Sequence, residues 1–182
     1  MIEIRESGIG NIGDIWSLAH DRYFECGYID KQFSGMFTQY PEYEFLPETK
    51  RLIAIDNGEL IGTVTITLDG EYGLPIEADW PKETQIVRAV GLPIACVWRL
   101  VTKLACASTR RIVLDLLKGC VRELIECGEP VILAAFNPRH KDFYKRFCRL
   151  TEIGRHEITK GLQNAPSILT VGGPGTYARL LG

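Results

Sequence analysis

The stretch from Arg51 to Leu68 reads RLIAIDNGELIGTVTITL and contains two apolar runs on either side of Asn57-Gly58. An Asn-Gly pair suits a two-residue hairpin turn, because both central positions of such a turn need positive φ. The stretch therefore predicts two antiparallel strands, Arg51 to Asp56 and Glu59 to Leu68, and with them the beginning of a sheet.

A strand–helix–strand unit follows this hairpin. Its first strand contains the apolar run IACVWRLV, residues 94–101. Ser108 or Thr109 caps a long helix, about Arg110 to Cys127, whose apolar residues recur at spacings of three and four. Val131 to Phe136 reads VILAAF, the continuous apolar pattern of a buried strand. A connection of this kind is right-handed and makes its two strands parallel.

Shorter elements complete the sheet and the layers that cover it. We predict a strand at Ile2 to Arg5, a helix from about Asn11 to Cys26, an aromatic covering loop from Asp30 to Lys50, a loop at residues 70–83 leading into a β-rich stretch that ends near Leu104, a short helix from Asn137 to Phe147, and strands at Glu152 to Thr159 and Ile168 to Val171. This order predicts an α/β fold whose sheet is antiparallel at its start.

Length and composition fit one globular domain spanning residues 1–182. The chain is 46% hydrophobic and 24% charged, which allows a sizeable apolar core. Its net charge of -2 predicts neither nucleic-acid nor anionic-lipid binding, and no apolar run approaches the ~20 residues of a membrane span. The six cysteines form no CxxC pair, so we interpret them as reduced thiols of a cytoplasmic protein without a metal site.

Several short motifs follow one another along the predicted elements. They are Arg22-Tyr23 and Gly27-Tyr28, Gly62-Thr63, Gly73-Leu74-Pro75-Ile76-Glu77, Trp98-Arg99-Leu100, the residues Asn137, His140, Phe143 and Tyr144 of NPRHKDFYKRF, and Glu152-Ile153-Gly154. Their order and spacing resemble the GNAT acyltransferase superfamily over nearly the whole chain. The closer resemblance is to its N-acyl amino acid synthase branch, which is related to the acyl-homoserine-lactone synthases that take acyl chains from acyl carrier protein.

The resemblance implies a GNAT-like fold, with a mixed and mostly antiparallel sheet flanked by helices. It implies an enzyme that moves an acyl group from a thioester, on acyl carrier protein, to the amine of an amino acid or a similar small molecule. No permanently bound cofactor is expected, because the acyl-phosphopantetheine thioester of acyl carrier protein or coenzyme A is itself the donor. Two alternatives stay open: a coenzyme A-dependent N-acetyltransferase, and a catalytically silent acyl-binding module.

Tyr144 is the first candidate catalytic residue. The leaving thiolate of a thioester is helped by a nearby proton donor, and the resemblance places a tyrosine with this role on the helix after the fifth strand. The alternative is that Tyr144 packs in the core as an aromatic residue. His140 lies one turn earlier and is a candidate base, a support for the tyrosine, or a surface histidine.

The general base is less clearly defined by the sequence. The resemblance implies a glutamate three residues before Arg99, but that position is Cys96. An apolar environment raises the pKa of a cysteine, so a covalent role for this thiol is not expected. Water or a carboxylate from Glu42, Glu44 or Glu77 is the expected base.

The first turn of the long helix is the expected donor-binding segment. Coenzyme A-dependent relatives carry a glycine-containing loop there, so that backbone N–H groups can close on the pyrophosphate. Residues 106–111 read CASTRR and contain no glycine. Arginines in a first turn oppose the helix dipole unless an anion binds there, so either they point into solvent or they bind a single phosphate and an acidic carrier surface. The candidate donor-binding residues are Val101, Lys103, Ser108, Thr109, Arg110 and Arg111.

Two arginines interrupt apolar patterns and are candidates for the acceptor site. A buried guanidinium needs a partner, and either an internal carboxylate or the carboxylate of an amino acid acceptor would serve. The candidate substrate-binding residues are Arg22, Arg99, Glu42, Glu44 and Trp98. The aromatic residues of segment 30–45 and Trp80 either line an acyl-chain tunnel or cover the core.

Overall fold

The structure, a computed structural model, describes residues 2–103 and 109–181. Its seven strands are β1 (Glu3–Glu6), β2 (Thr49–Asp56), β3 (Glu59–Leu68), β4 (Ile94–Thr102), β5 (Val131–Phe136), β6 (Thr151–His156) and β7 (Ser167–Gly172). They form one open sheet in the order β1-β2-β3-β4-β5-β7-β6. Within the described ranges β4 and β5 are the parallel pair, and the other neighbours are antiparallel. The predicted α/β class, with a mixed and mostly antiparallel sheet, is confirmed.

Helices cover both faces of this sheet. They are α1 (Ile12–Glu25), α2 (Pro81–Arg88), α3 (Thr109–Glu126), α4 (Lys141–Cys148) and α5 (Pro174–Tyr177). On one face α3, α4 and the C-terminal segment pack against a core that includes Leu116 and Ile132. The core on the opposite face includes Leu133 and Leu169. None of the helices described by the structure is long and apolar enough to cross a membrane.

The predicted hairpin between β2 and β3 forms around Asn57-Gly58. These two residues have φ values of 50° and 81°, the left-handed conformation that the turn requires. Asp56 pairs with Glu59 directly across the turn. The local turn signal therefore determined the register at this end of the sheet.

β4 and β5 diverge partway along their length. Ile94 to Val97 pair with Val131 to Ala134, and the ladder ends before β4 does. Just beyond it Arg99 has a φ of 49°, and the register between β3 and β4 shifts between Thr63 and Thr65. A bulge of this kind bends its strand, so the end of β4 turns away from β5. The gap between the two strand ends is called the wedge below.

Three segments differ from the sequence-based expectation. Residues 81–88 form α2, where a loop leading into a β-rich stretch is predicted. Pro81 occupies the first helical position, where its missing N–H leaves no hydrogen bond unmade, so this proline begins a helix instead of marking a loop. The strand predicted to reach Thr159 ends at His156, and α5 with a following 3-10 turn forms where no element is predicted.

Trp80, at the beginning of α2, packs closely on the outer part of the sheet. Its side chain is 1% exposed, and its ring centroid lies 3.8 Å from that of His156 in β6. A Cβ atom at Gly154 would lie 2.5 Å from the indole Cζ3 atom. This close approach requires a glycine in the strand.

We expect Gly154→Ala to lower the free energy of unfolding by about 1 to 3 kcal/mol, because overpacking forces neighbouring groups to move. For a domain of this size each 1 kcal/mol corresponds to about 2 to 4 °C in Tm, which thermal denaturation followed by circular dichroism would detect. Gly8→Ala is the matched control, since a Cβ at Gly8 would have no neighbour within 4 Å. Equal Tm values for the two variants would contradict the packing argument.

Candidate active site

A cavity of about 640 Å³ passes through the wedge and extends on both faces of the sheet. The part on the face covered by α3 is called the α3 lobe, and its lining includes Leu117, Cys120, Leu124, Ile132, Leu150 and Tyr177. The part on the opposite face is called the α1 lobe, and its lining includes Tyr23, Tyr28, Tyr40, Asp79, Cys96 and Ser167. The first lobe is almost wholly apolar, whereas the second carries hydroxyl groups and charges.

Tyr144 lines this cavity from α4. Its ring stacks on Phe136, with centroids 4.0 Å apart and an interplanar angle of 29°. Burial raises the pKa of Tyr144 above its ordinary value, so the phenol keeps its proton at neutral pH. The side chain thus packs as an aromatic residue, as one of the two alternatives predicts, and it also belongs to the cavity lining.

His140 also lines the cavity and is held by its neighbour Arg139. The Arg139 Nε–H donates to His140 Nε2 at 3.0 Å. Burial, and then the positive charge of Arg139, lower the pKa of His140, so its imidazole is neutral at neutral pH. Nearby, the side-chain amide of Asn137 donates to the Tyr28 hydroxyl at 2.8 Å. These contacts join the segment before α4 to the end of α1.

Arg99 is engaged inside the protein. Its guanidinium is 2% exposed and forms an ion pair with Glu44, whose side chain is fully buried. It also donates to Thr65 Oγ1 at 2.7 Å. Glu44 accepts further hydrogen bonds from Trp16 at 3.1 Å and Thr38 at 2.6 Å. The partner of the buried guanidinium is thus the internal carboxylate, and each of the two charges neutralises the other.

The other carboxylates considered as bases lie outside the cavity lining. Glu42 is exposed on a 3-10 turn. Glu77 accepts from the Leu74 backbone N–H at 2.8 Å and forms an ion pair with Arg88 at 2.5 Å. Among the residues that the structure describes, Asp79 is the only carboxylate that lines the cavity.

Asp79 was missed by the sequence analysis although Glu77 was named two positions away. It accepts hydrogen bonds from the Tyr40 hydroxyl at 3.2 Å and from the Lys160 backbone N–H at 2.6 Å. Burial, and then the Asp79 charge, raise the pKa of Tyr40 above its ordinary value. No group of three His, Cys, Asp or Glu side chains suited to a metal ion occurs in residues 2–103 and 109–181.

Three of the candidate donor-binding residues line the cavity at the wedge: Val101, Thr109 and Arg110. The Arg110 guanidinium lies 5.3 Å from the centroid of the Phe147 ring. No described carboxylate pairs with Arg110. Its position at the start of α3 leaves a positive charge beside the cavity.

The remaining donor-binding candidates lie elsewhere. Lys103 forms an ion pair with Glu59 at the protein surface. Arg111 is largely exposed and its Nε lies 3.6 Å from a carboxylate oxygen of Asp115, four residues further along α3. Ser108 lies outside the described residues. Arg110 therefore lines the cavity and Arg111 does not, a difference that the sequence pattern does not indicate.

Arg22, Trp98 and Cys96 all line the α1 lobe. Arg22 forms an ion pair with Glu25 at 2.5 Å. The Trp98 indole N–H donates to Thr67 Oγ1 at 3.0 Å, which fixes its ring. Burial raises the pKa of Cys96 to about 12, so this residue is a protonated thiol at neutral pH and a poor nucleophile.

Of the two alternatives for the aromatic segment, the structure does not favour a lining for an acyl chain. Phe33 and Phe45 are exposed, and Trp80 packs on Gly154. Of the aromatic residues at 30–45 together with Trp80, only Tyr40 lines the cavity. The apolar lining comes instead from α3, β5 and the C-terminal segment, where helix periodicity alone does not distinguish a core residue from a cavity residue.

The mixed sheet, open between its parallel strands, has the fold of the GNAT acyltransferases on which it superimposes, and the match to a family model shows that the protein is an acyltransferase. The family model of the N-acyl amino acid synthase FeeM matches residues 14–171. The chain belongs to this family. A search of curated proteins finds no match.

Solved structures agree on the fold. FeeM, an N-acyl amino acid synthase from uncultured soil microbes, is 18% identical and superimposes with a TM-score of 0.83 over 97% of this chain and 93% of its own. The acyl-homoserine-lactone synthase LasI is 14% identical, with a TM-score of 0.65 over 99% of this chain and 93% of its own. An aminoglycoside 6'-acetyltransferase type Ii is 16% identical, with a TM-score of 0.61 over 94% of this chain and 97% of its own.

We expect Glu44→Gln to lower the free energy of unfolding by about 3 to 5 kcal/mol, since it leaves the buried Arg99 charge without its carboxylate. Urea denaturation would measure the change. Glu42→Gln is the matched control: it alters an exposed carboxylate two residues earlier and should stay within about 0.5 kcal/mol of the wild type. A small effect at both positions would show that the ion pair does not anchor this segment.

Proposed function

We propose that this acyltransferase moves a long acyl chain from the phosphopantetheine thioester of an acyl carrier protein to the amine of an amino acid or a similar small molecule. The observation that carries the proposal is the α3 lobe, an apolar space continuous with the wedge. An acetyl group would occupy only a small part of a 640 Å³ cavity, whereas cavities of about 300 to 1,000 Å³ accommodate ligands of many atoms.

The chemistry of the α3 lobe matches a hydrocarbon tail. Leu117 and Leu124 line it from α3, and Ile132 lines it from β5. Tyr177 from the C-terminal segment adds its ring, while its hydroxyl is directed away to the Pro130 carbonyl, at 2.9 Å. Burial of apolar surface provides about 25 cal/mol per Å², so each additional methylene of a chain in this lobe adds binding free energy.

In the proposed reaction the free amine attacks the thioester carbonyl carbon. A C–N bond forms and the C–S bond breaks, so the products are an N-acyl amine and a thiol. Counted from the ammonium form, the nitrogen loses two protons: one leaves before the attack, and the other leaves as the amide forms. The thiolate takes up one proton, and a net proton is released to solvent.

Tyr144 is the proposed donor of the proton to the leaving thiolate. Its raised pKa keeps the phenol protonated at neutral pH, and after donating to the thiolate the phenolate regains the proton that the nitrogen loses as the amide forms. The β4 edge beyond Val97 has no ladder with β5, so the backbone groups of this edge that face away from β3 open into the wedge. Backbone N–H groups in such a position can stabilise the oxyanion of the tetrahedral intermediate. No permanently bound cofactor takes part in this scheme.

A carrier protein is the proposed source of the thioester. Residues 139–149 contain five Lys and Arg residues and one Asp in a chain whose net charge is -2. Arg110, which lines the cavity, adjoins this segment through Phe147. A local positive surface beside the wedge is complementary to a phosphate and to an acidic carrier.

Acceptor-dependent thiol release is the test of this function. Acetyl, octanoyl and palmitoyl groups are each presented on acyl carrier protein and on coenzyme A, with a mixture of amino acids as acceptor and mass spectrometry of the product. We expect release to be fastest with a long chain on carrier protein and to yield an N-acyl amino acid. Fastest release from acetyl coenzyme A would identify an N-acetyltransferase instead, and no release from any donor would identify an acyl-binding module.

We expect Tyr144→Phe to lower kcat about ten-fold or more with an unchanged Tm, because the variant lacks one proton donor and keeps the ring that stacks on Phe136. Tyr72→Phe is the matched control, as Tyr72 is 66% exposed and outside the cavity lining. Steady-state kinetics with the preferred donor would measure both. A wild-type kcat for Tyr144→Phe would exclude the proposed role.

We expect Arg110→Glu to raise the donor KM about ten-fold or more while leaving the acceptor KM nearly unchanged. Arg111→Glu makes the same charge change at the next residue, outside the cavity, and should raise the donor KM far less. Exposed contacts are screened over about 10 Å at 0.1 M salt, so the difference between the two variants should shrink as salt is added. Equal effects of both substitutions would contradict a specific role for Arg110.

A further inference from the structure

We infer that the α1 lobe binds its acceptor as a zwitterion, with Asp79 contacting the ammonium group and Arg139 contacting the carboxylate. This inference rests on the proposed function and specifies the acceptor site that the function requires. It assigns acceptor selection to two residues of opposite charge that line one cavity and do not pair with each other.

Asp79 is a carboxylate with unused hydrogen-bonding capacity. Its two hydrogen bonds come from the Tyr40 hydroxyl and the Lys160 backbone N–H, both of which are uncharged groups. No described Lys, Arg or His side chain forms an ion pair with it. An ionised carboxylate can accept about four hydrogen bonds, so the α1 lobe contains a negative charge that an incoming ammonium group can neutralise.

Arg139 carries the complementary positive charge. Its Nε–H donates to His140, and one Nη–H points to Cys26 Sγ at 3.8 Å. A guanidinium has five N–H donors, so most of its donors remain available, and no described carboxylate pairs with it. A planar guanidinium binds a carboxylate in a bidentate manner. Arg22 lines the same lobe, but its charge is already neutralised by Glu25.

Ser167 provides an independent indication of a polar ligand in this lobe. Its side chain is 4% exposed, and its hydroxyl oxygen has no hydrogen-bond partner among the described residues. A buried hydroxyl without a partner is unfavourable. Like Asp79 and Arg139, Ser167 lines the cavity, so a polar acceptor could satisfy its hydroxyl as well.

The two charges also explain how the acceptor becomes reactive. The ammonium nitrogen has no lone pair and must lose a proton before it attacks the thioester. Asp79 accepts that proton and later releases it to solvent, which leaves the amine free to form the C–N bond. Arg139 holds the carboxylate through its N–H donors, so it is a binding group and not a base.

Paired acceptors test the inference. Thiol release is measured with L-leucine and with isoamylamine, and with L-phenylalanine and phenethylamine; each pair differs only in the carboxylate. We expect kcat/KM of the wild type to be at least ten-fold higher for the amino acid of each pair. Arg139→Gln should abolish this preference by raising KM for the amino acids and leaving KM for the amines unchanged.

Further variants separate binding from structural effects. Arg139→Lys keeps the charge and should recover part of the preference, whereas Arg122→Gln, at an exposed arginine outside the cavity, should leave it intact. Asp79→Asn should lower kcat/KM for amino acids and amines alike, because both bind through an ammonium group. Asp14→Asn, at an exposed aspartate in α1, is its control. Tm measurements show whether each variant folds.

The outcomes distinguish this inference from the proposed function. If the wild type turns over amines as well as amino acids, or if Arg139→Gln affects both members of a pair equally, the inference is wrong while the acyl-transfer function stands. Wild-type kinetics in folded Asp79→Asn would exclude the role of Asp79. If no donor releases thiol with any acceptor, the proposed function fails and the inference fails with it.

Discussion

The ion pair between Arg99 and Glu44 is the interaction on which the site depends. Arg99 occupies the bulge at which β4 leaves β5, with a φ of 49° that is unusual for a residue with a side chain. Burying its guanidinium would be strongly unfavourable without a carboxylate. Glu44 supplies the carboxylate from the segment beside the α1 lobe, so the same contact holds the bulge and positions the segment that contains Tyr40.

The opening of the sheet places two different environments on either side of the wedge. On the α3 face, apolar side chains offer no charge, and burial raises the pKa of Cys120 above its ordinary value, which keeps the thiol neutral. On the α1 face, hydroxyl groups line the cavity together with charged side chains that include Asp79 and Arg139. A thioester in the wedge would thus have its hydrocarbon part on one face and its polar reaction partner on the other, which matches the two chemical halves of an N-acyl amino acid.

Local patterns predicted the fold well, and the contacts that shape the site depend on the tertiary structure. The Asn57-Gly58 turn and the VILAAF strand are encoded within a few residues, so their sequence is sufficient. The partner of Arg99 lies 55 residues away in the chain, and no periodicity indicates it. Glu77 and Asp79 are equally acidic in sequence, but only the folded turn shows that one pairs with Arg88 while the other lines the cavity.

A buried ion pair adds little net stability compared with well-packed apolar residues of similar volume. The Arg99–Glu44 pair is therefore better explained by the geometry that it enforces than by the free energy that it contributes. An apolar replacement could fill the same space, but it would not require the segment around Glu44 to meet the bulge at a single orientation. Because Tyr40 belongs to that segment and donates to Asp79, the orientation of the proposed acceptor-binding carboxylate follows from the ion pair. The strand bulge that opens the cavity is thus coupled through two side-chain contacts to the group that we infer receives the amine.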